Sequence, residues 1–426
     1  MKGIHMKITF LFGAGAEGKG QIDMPFGNEF KKDIVIADNV VPFMNGINKS
    51  ASHILPIKAG TNLAHNSSGV LYQTIVERQA DDTNCIDKLF SEESEKQTVR
   101  AYLDYKAGIS IFDKDTKSDL SNDFAALYKN NFYECIKKGV STPQIEYFLK
   151  HAGIYAYLDG LFGYLRKPEK YPKECARVVK LYYSALYSVL KSIGKRNNPA
   201  ATNDDICSCL LSMDRETLSN FIAEQQTAIV EDIRKTKIKT YYGCIYDLKI
   251  QCKEKNQKID ISVVNLNYTI FAEQIIGVNL ENIAYLHGKL GLFEELKSKR
   301  IAPLLELDPT ETVFPYLLVQ SGVKPIIAPY QIEEFGKATN WMSTSDLVVV
   351  LGYGVNSDDE HISNLLRWRI AQNKNVVCFI YAQDKTKFEN EQRRIQTQLG
   401  ISPYLEFKNT SDFESYIEQI STGGQI

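Results

Sequence analysis

The stretch FLFGAGAEGKGQIDMPFG, residues 10–27, sets an apolar run directly before Gly13-Ala14-Gly15, then places Gly18 and Gly20 ahead of Pro25-Phe26-Gly27. Lys7 to Phe12 (KITFLF) is short, apolar and rich in β formers, and it stops at a glycine. That is the pattern of a buried parallel strand feeding a loop. A strand ending in Gly-Ala-Gly lets backbone N–H groups approach a ligand closely, and a helix N-terminus beyond it adds partial positive charge. The loop therefore suits a phosphate or pyrophosphate. Gly13, Gly15 and Gly18 fit the spacing GxGxxG, which is a weak signal alone. The dinucleotide-binding fingerprint expects an unbroken βαβ unit with an acidic residue about 20 positions on, whereas Pro25 here interrupts an immediate helix. A glycine-rich turn that merely connects elements is the alternative.

The rest of the chain sets that strand in context. The strand signal returns at Ile261–Leu266 (ISVVNL), Lys324–Ile327, Asp346–Leu351 (DLVVVL) and Asn375–Ala382 (NVVCFIYA), with an amphipathic helix over Asp359–Gln372. Strands alternating with helices imply a parallel α/β sheet. Between the first strand and the others the character changes. Ser141-Thr142-Pro143 reads as an N-cap with proline in the first turn, opening the aromatic-rich IEYFLKHAGIYAYLDGLFGYL. Further helices are expected over Lys173–Lys191 and near Glu216–Lys235, and QCKEKNQKID at 251–260 reads as a lysine-rich linker. The expected fold is α/β: a Rossmann-like doubly wound parallel sheet with a large inserted helical domain. Its parts are residues 6–84 and 256–415 for the α/β domain, 85–255 for the helical insert, and 416–426 for a tail.

Composition narrows the function. With 44% hydrophobic and 24% charged residues over 426 positions, the chain is an ordinary globular sequence able to bury sizeable cores. Lys and Arg total 50 against 52 for Asp and Glu, a formal net charge of −2, so no global basic field draws it onto nucleic acid or an anionic membrane. The aromatic residues of 145–187 recur at helical spacing and read as packing rather than base stacking. Eight cysteines include no CxxC pair and no nearby histidine at metal-ligand spacing, which argues against structural zinc. Nothing resembles a signal peptide, and no stretch approaches about 18 apolar residues. The cysteines are therefore expected as reduced thiols of a cytoplasmic protein.

Two more clusters sit at strand ends. VVNLNYTI at 263–270 puts Asn265 and Asn267 at the end of an apolar strand, and Ile283-Ala284-Tyr285-Leu286-His287-Gly288 closes a further short apolar run. Leu351-Gly352-Tyr353-Gly354-Val355-Asn356 again turns from strand to glycine-rich loop. In doubly wound sheets the ligand sits outside the carboxyl ends of the strands, where Gly13, Asn267 and His287 would all project. A nucleotide pocket accounts for the three clusters together better than three unrelated turns.

GAGAE at 13–17 with MPFG at 24–27, NLNYT at 265–269, LHG at 286–288 and DLVVVLGYGVNSDDEHISNLL at 346–366 together resemble the sirtuin superfamily. They are closer to its bacterial sirtuin-like branch than to the protein deacetylases. The resemblance covers the α/β core and leaves the insert unexplained. It implies that the first motif, with Gly13, Ala14, Gly15, Glu17 and Pro25, wraps the phosphates of NAD. Asn267, beside Tyr268, would orient the nicotinamide ribose or a water, and His287 would act as base. Gly352, Tyr353, Gly354 and Asn356 would hold the adenosine ribose. Breaking a nicotinamide–ribose bond passes through an oxocarbenium-like state that needs hydrogen bonds around the ribose and a proton acceptor. A histidine with an ordinary pKa of about 6.5 can be that acceptor at neutral pH.

Glu17 stands where family members commonly carry serine, and Thr269 where they carry an acid. A carboxylate facing a pyrophosphate would repel it unless Glu17 points away or pairs with Lys19. The zinc ribbon of the protein deacylases is absent, and no metal site is expected. The resemblance thus implies an NAD glycohydrolase, with NAD as substrate, of the kind that acts as an antiphage effector. It would be a homo-oligomer awaiting a defence-system partner protein or a phage trigger. The alternatives are a catalytically silent NAD or ADP-ribose sensor and ADP-ribosyl transfer to a macromolecule. Asp358-Asp359-Glu360 reads as an acidic first turn favoured by the helix dipole, and His361 belongs to no recognisable constellation.

Overall fold

The computed structural model describes residues 5–24, 40–51, 168–169, 172–236, 238–317, 328–355 and 359–422. Pro25, Asn356, Asp358, the helix expected to open at Ser141 and the strand expected at Lys324–Ile327 lie outside the described residues.

KITFLF forms the body of β1 (His5–Phe12), whose last five residues are buried. It pairs in parallel with β2 (Lys258–Asn265) on one side and β7 (Leu347–Leu351) on the other. β3 (Ile283–Tyr285) extends the sheet beyond β2, while β8 (Val376–Ile380) and β9 (Leu405–Asn409) extend it beyond β7. The order β3-β2-β1-β7-β8-β9 is that of a doubly wound Rossmann-like sheet, with its topological switch point between β1 and β7.

Period-two alternation assigns each strand residue to a face. Phe10, Phe12, Val263, Val349 and Leu351 enter one apolar core; Leu11, Val264, Val348 and Val350 enter the other. The second face is covered by α7 (Pro329–Thr344), α8 (Glu360–Ala371) and α9 (Lys385–Leu399). The first is covered by α2 (Pro172–Asn197), α4 (Arg215–Thr236), α5 (Tyr241–Glu254), α6 (Phe271–Ile276) and α10 (Phe413–Ser421), with α1 (Val40–Ile47) and α3 (Asn203–Leu211) against α2. The described helices of the 85–255 region therefore share one core with the sheet. In the chain, α5 leads directly into β2 and packs on it.

Two expectations are corrected, and a second sheet is added. Residues 251–260 are not a linker: they are the last turn of α5 and the start of β2, with Cys252 buried while their lysines face solvent. Residues 416–421 are not tail: Phe413, Tyr416, Ile417 and Ile420 make one buried stripe of α10, at the spacing that lets a short helix dock. A small antiparallel sheet, β5-β4-β6, which the strand signal did not mark, comprises β4 (Gly288–Glu295), β5 (Ile301–Pro303) and β6 (Val313–Leu317). Among the described residues no helix is long and apolar enough to cross a membrane.

Beneath the switch point Arg369 of α8 is fully buried. Its guanidinium donates to the carbonyls of Met342, Ser345, Asp346 and Asn375 at 2.6–3.1 Å, tying the turn before β7 to the turn before β8. Burial pulls its pKa down to about 10, so it stays charged at neutral pH.

Candidate functional site at the carboxyl edge of the sheet

Strand register fixes the positions of the motifs. Phe12 pairs with Asn265 and with Leu351, and Asn265 pairs with Tyr285. One row of four residues, the last of their strands, thus runs across the carboxyl edge, and Asn267, His287 and Tyr353 each stand two residues beyond it.

At the switch point the two glycine loops interlock. Gly13 N–H donates to the Leu351 carbonyl and Gly15 N–H to the Gly352 carbonyl, both at 2.9 Å. Gly352 has φ +64°, and a Cβ there would lie 2.0 Å from the Ala16 nitrogen; one on Gly13 would lie 2.6 Å from the Gly352 oxygen. These glycines therefore serve a loop-to-loop contact before any ligand. Gly13 then leads into a 3-10 turn, Ala14–Ala16, whose Ala14 is the exposed lip of the loop.

Under that turn lies a closed polar cluster. Glu17 is buried and points inward, accepting from Thr269 Oγ1 at 2.6 and 2.7 Å and from Tyr242 Oη at 3.0 Å. Glu17 and Thr269 are thus partners of each other, and the Glu17 carboxylate does not face the loop mouth. Asn267 Nδ2 donates to the Gly13 carbonyl at 3.2 Å and to Tyr242 Oη at 3.4 Å, while its own N–H bonds Asn265 Oδ1. An Asx-type turn from Asn265 therefore aims Asn267 at the loop.

Burial pushes the Glu17 carboxyl up to about 7, against the lowering effect of the hydrogen bonds from Thr269, Tyr242 and Asn267. The folded state then holds this proton more tightly than the unfolded chain, so the group's contribution to stability falls as pH rises from about 4.5 through 7. Glu17→Gln removes that dependence. Its stability relative to the wild type, measured by denaturant unfolding at pH 4.5 and pH 8.5, should improve by about 3 kcal/mol between the two. A constant difference would mean that the carboxyl titrates normally.

His287 follows β3 and is buried, its Nε2 3.4 Å from Asp359 Oδ1. Gly288 behind it has φ +93°, and a Cβ would lie 2.1 Å from the Tyr316 oxygen, so the glycine of LHG is required where β4 starts against β6. Asp359 is the N-cap residue of α8 but makes no side-chain capping bond. His361, in the first turn of α8, has its ring centroid 5.6 Å from that of His287.

Of the sequence candidates, Gly13, Ala14, Gly15, Asn267, His287 and Gly352 gather at the switch point and its β3 side. Glu17 is brought beneath it rather than to its surface. The Tyr353 hydroxyl turns under the site, donating to the Asp359 carbonyl at 3.1 Å and lying 3.2 Å from Ser363 Oγ. Gly354 presents its carbonyl to Arg394. The Tyr268 ring packs against the apolar core, and burial together with the Asp359 charge raises its pKa.

Three residues were missed by reading the sequence: Tyr242, Asp359 as a partner of His287, and His361. Tyr242 lies in an aromatic helix pattern that signals only packing. The acidic turn containing Asp359 and His361 carries no mark of its distant partner.

The sequence matches no protein-family model and no curated protein. Among solved structures it is similar to a chain described as "The Structural basis for Sirtuin Substrate affinity", with a TM-score of 0.28 and 13% identity over 42% of this chain and 71% of that one. The fold assignment rests on strand order and register.

Proposed function

We propose that the switch-point site binds NAD and hydrolyses its nicotinamide–ribose bond, yielding nicotinamide and ADP-ribose. The observation that carries this is the register row: it sets Asn267 and His287 equally far past the sheet edge, beside the interlocked Gly13–Gly15 and Gly352 loops, where a doubly wound fold holds a dinucleotide. Cleavage of the C1′–N1 bond leaves its electron pair on the nicotinamide nitrogen and an oxocarbenium-like ribose, which water attacks at C1′. His287 takes the water's proton, oriented by Asp359 as carboxylates orient imidazole bases. Asn267, fixed through the Gly13 carbonyl and Tyr242, holds a ribose hydroxyl or the water in line. A Glu17 carboxylate facing the pyrophosphate would favour a catalytically silent sensor; instead it bonds Thr269 beneath the site. A role as an oligomeric antiphage effector, awaiting a partner protein or phage trigger, rests on the sequence resemblance.

Incubating the full-length protein with NAD over a series of protein concentrations should release nicotinamide and ADP-ribose in equal amounts, followed by chromatography. His287→Ala should lower the rate at least about a hundredfold with its melting curve unchanged. A fully active variant, or no release at any protein concentration, would count against the proposal.

A further inference from the structure

The geometry points to a site for a divalent transition-metal ion formed by His287, Asp359 and His361, through which zinc switches the base off. One ligand atom from each of the three side chains lies within 4.8 Å of the other two. A zinc ion with ligands at about 2.1 Å and tetrahedral angles sets neighbouring donors about 3.4 Å apart, and His287 Nε2 and Asp359 Oδ1 already stand 3.4 Å apart.

Two imidazoles and one carboxylate form a donor set for zinc and its first-row neighbours; magnesium and calcium favour oxygen ligands. The ligands come from two elements, the β3–β4 junction and the first turn of α8, so neither short segment makes the site alone. Asp359 N-caps α8 without a side-chain capping bond, and its Oδ1 lies 3.4 Å from His287 Nε2. The helix N-terminus opposes a cation, and the charge of Asp359 offsets it. The surroundings hold the set in place: the Tyr353 hydroxyl pins the Asp359 carbonyl, and the Phe335 ring lies 5.4 Å from that of His361. Such outer contacts orient metal ligands.

With Nε2–H turned to Asp359, the nitrogen of His287 that accepts the water's proton is Nδ1; a metal on Nε2 leaves the neutral ring's one proton on Nδ1, which then has no lone pair to offer. Metal occupancy and hydrolysis are therefore mutually exclusive, a clause that rests on the NAD hydrolase proposal, whereas the metal site itself does not. Zinc added to the chelator-treated full chain and followed by calorimetry, with cobalt as an optical probe, should bind at one ion per chain with Kd about 10 μM or below. His361→Ala and Asp359→Asn should each weaken binding at least about tenfold. Where nicotinamide release is measurable, the zinc concentration for half-inhibition should rise by a similar factor in His361→Ala. No saturable binding below about 1 mM zinc, or unchanged binding by His361→Ala, would overturn the site. Binding that leaves turnover untouched would overturn the switch while leaving the site. The calorimetry decides the site even if the chain releases no nicotinamide.

Discussion

Gly352→Ala should cost about 4 kcal/mol of folding stability and abolish nicotinamide release, although only one methyl group is added. A left-handed φ of +64° costs an alanine about 1 kcal/mol. The larger cost is steric: the new Cβ would lie 2.0 Å from the Ala16 nitrogen and 2.5 Å from the Gly15 carbonyl carbon, both backbone atoms. Relief requires the two loops to part, which breaks the bonds from Gly13 N–H and Gly15 N–H, each contributing about 1 kcal/mol. Asn267 then loses its anchor on the Gly13 carbonyl. Gly336→Ala is the control. On α7 its Cβ would meet nothing within 4 Å, and an alanine in a helix interior is favoured by up to about 1 kcal/mol. Denaturant unfolding of the two variants checks the contrast; equal effects would show that the loops part easily.

The second large effect is Arg369→Leu, expected to destabilise the chain by about 4 kcal/mol. The arginine is an unusual resident of a core because its four described acceptors are all backbone carbonyls. Leucine fills part of the volume and satisfies none of them, and each buried carbonyl left unpaired costs about 1–3 kcal/mol, moderated where water reaches it. Arg369→Lys keeps the charge but not the planar fork that spans two turns, so it should recover only a minor part. Full recovery by lysine would mean that charge rather than geometry holds the turns. These turns set where β7 starts, and through its register where Gly352 emerges.

Both effects trace to features of different legibility. The order of apolar runs, their stops at glycine and the polar residues immediately beyond were enough to read a doubly wound sheet and to place Gly13, Asn267 and His287 at one edge of it. Parallel strands buried on both faces are written as continuous apolar runs, and the segment after each run must lie at the ligand edge. The antiparallel sheet was illegible because β5 has only three residues, β6 carries a proline at Pro315, and β4 is interrupted by a register shift between Gly288 and Phe293 and by Lys, Gly and Glu in its apolar pattern. The final helix was passed over because its buried stripe spans only nine residues.

The sequence by itself determined the parallel α/β class and the residues that stand beyond the carboxyl ends of the strands, because local periodicity and strand termini depend only on neighbours in the chain, whereas strand order and the switch point between β1 and β7 rest on long-range pairing. Only the tertiary structure decided how those residues face. Glu17 turns away from the loop mouth because Thr269 and Tyr242 offer it hydroxyls beneath, and His287 meets Asp359 and His361 across more than seventy residues. Side-chain direction and long-range pairing come from packing and buried hydrogen-bond satisfaction, which no local pattern of residues encodes.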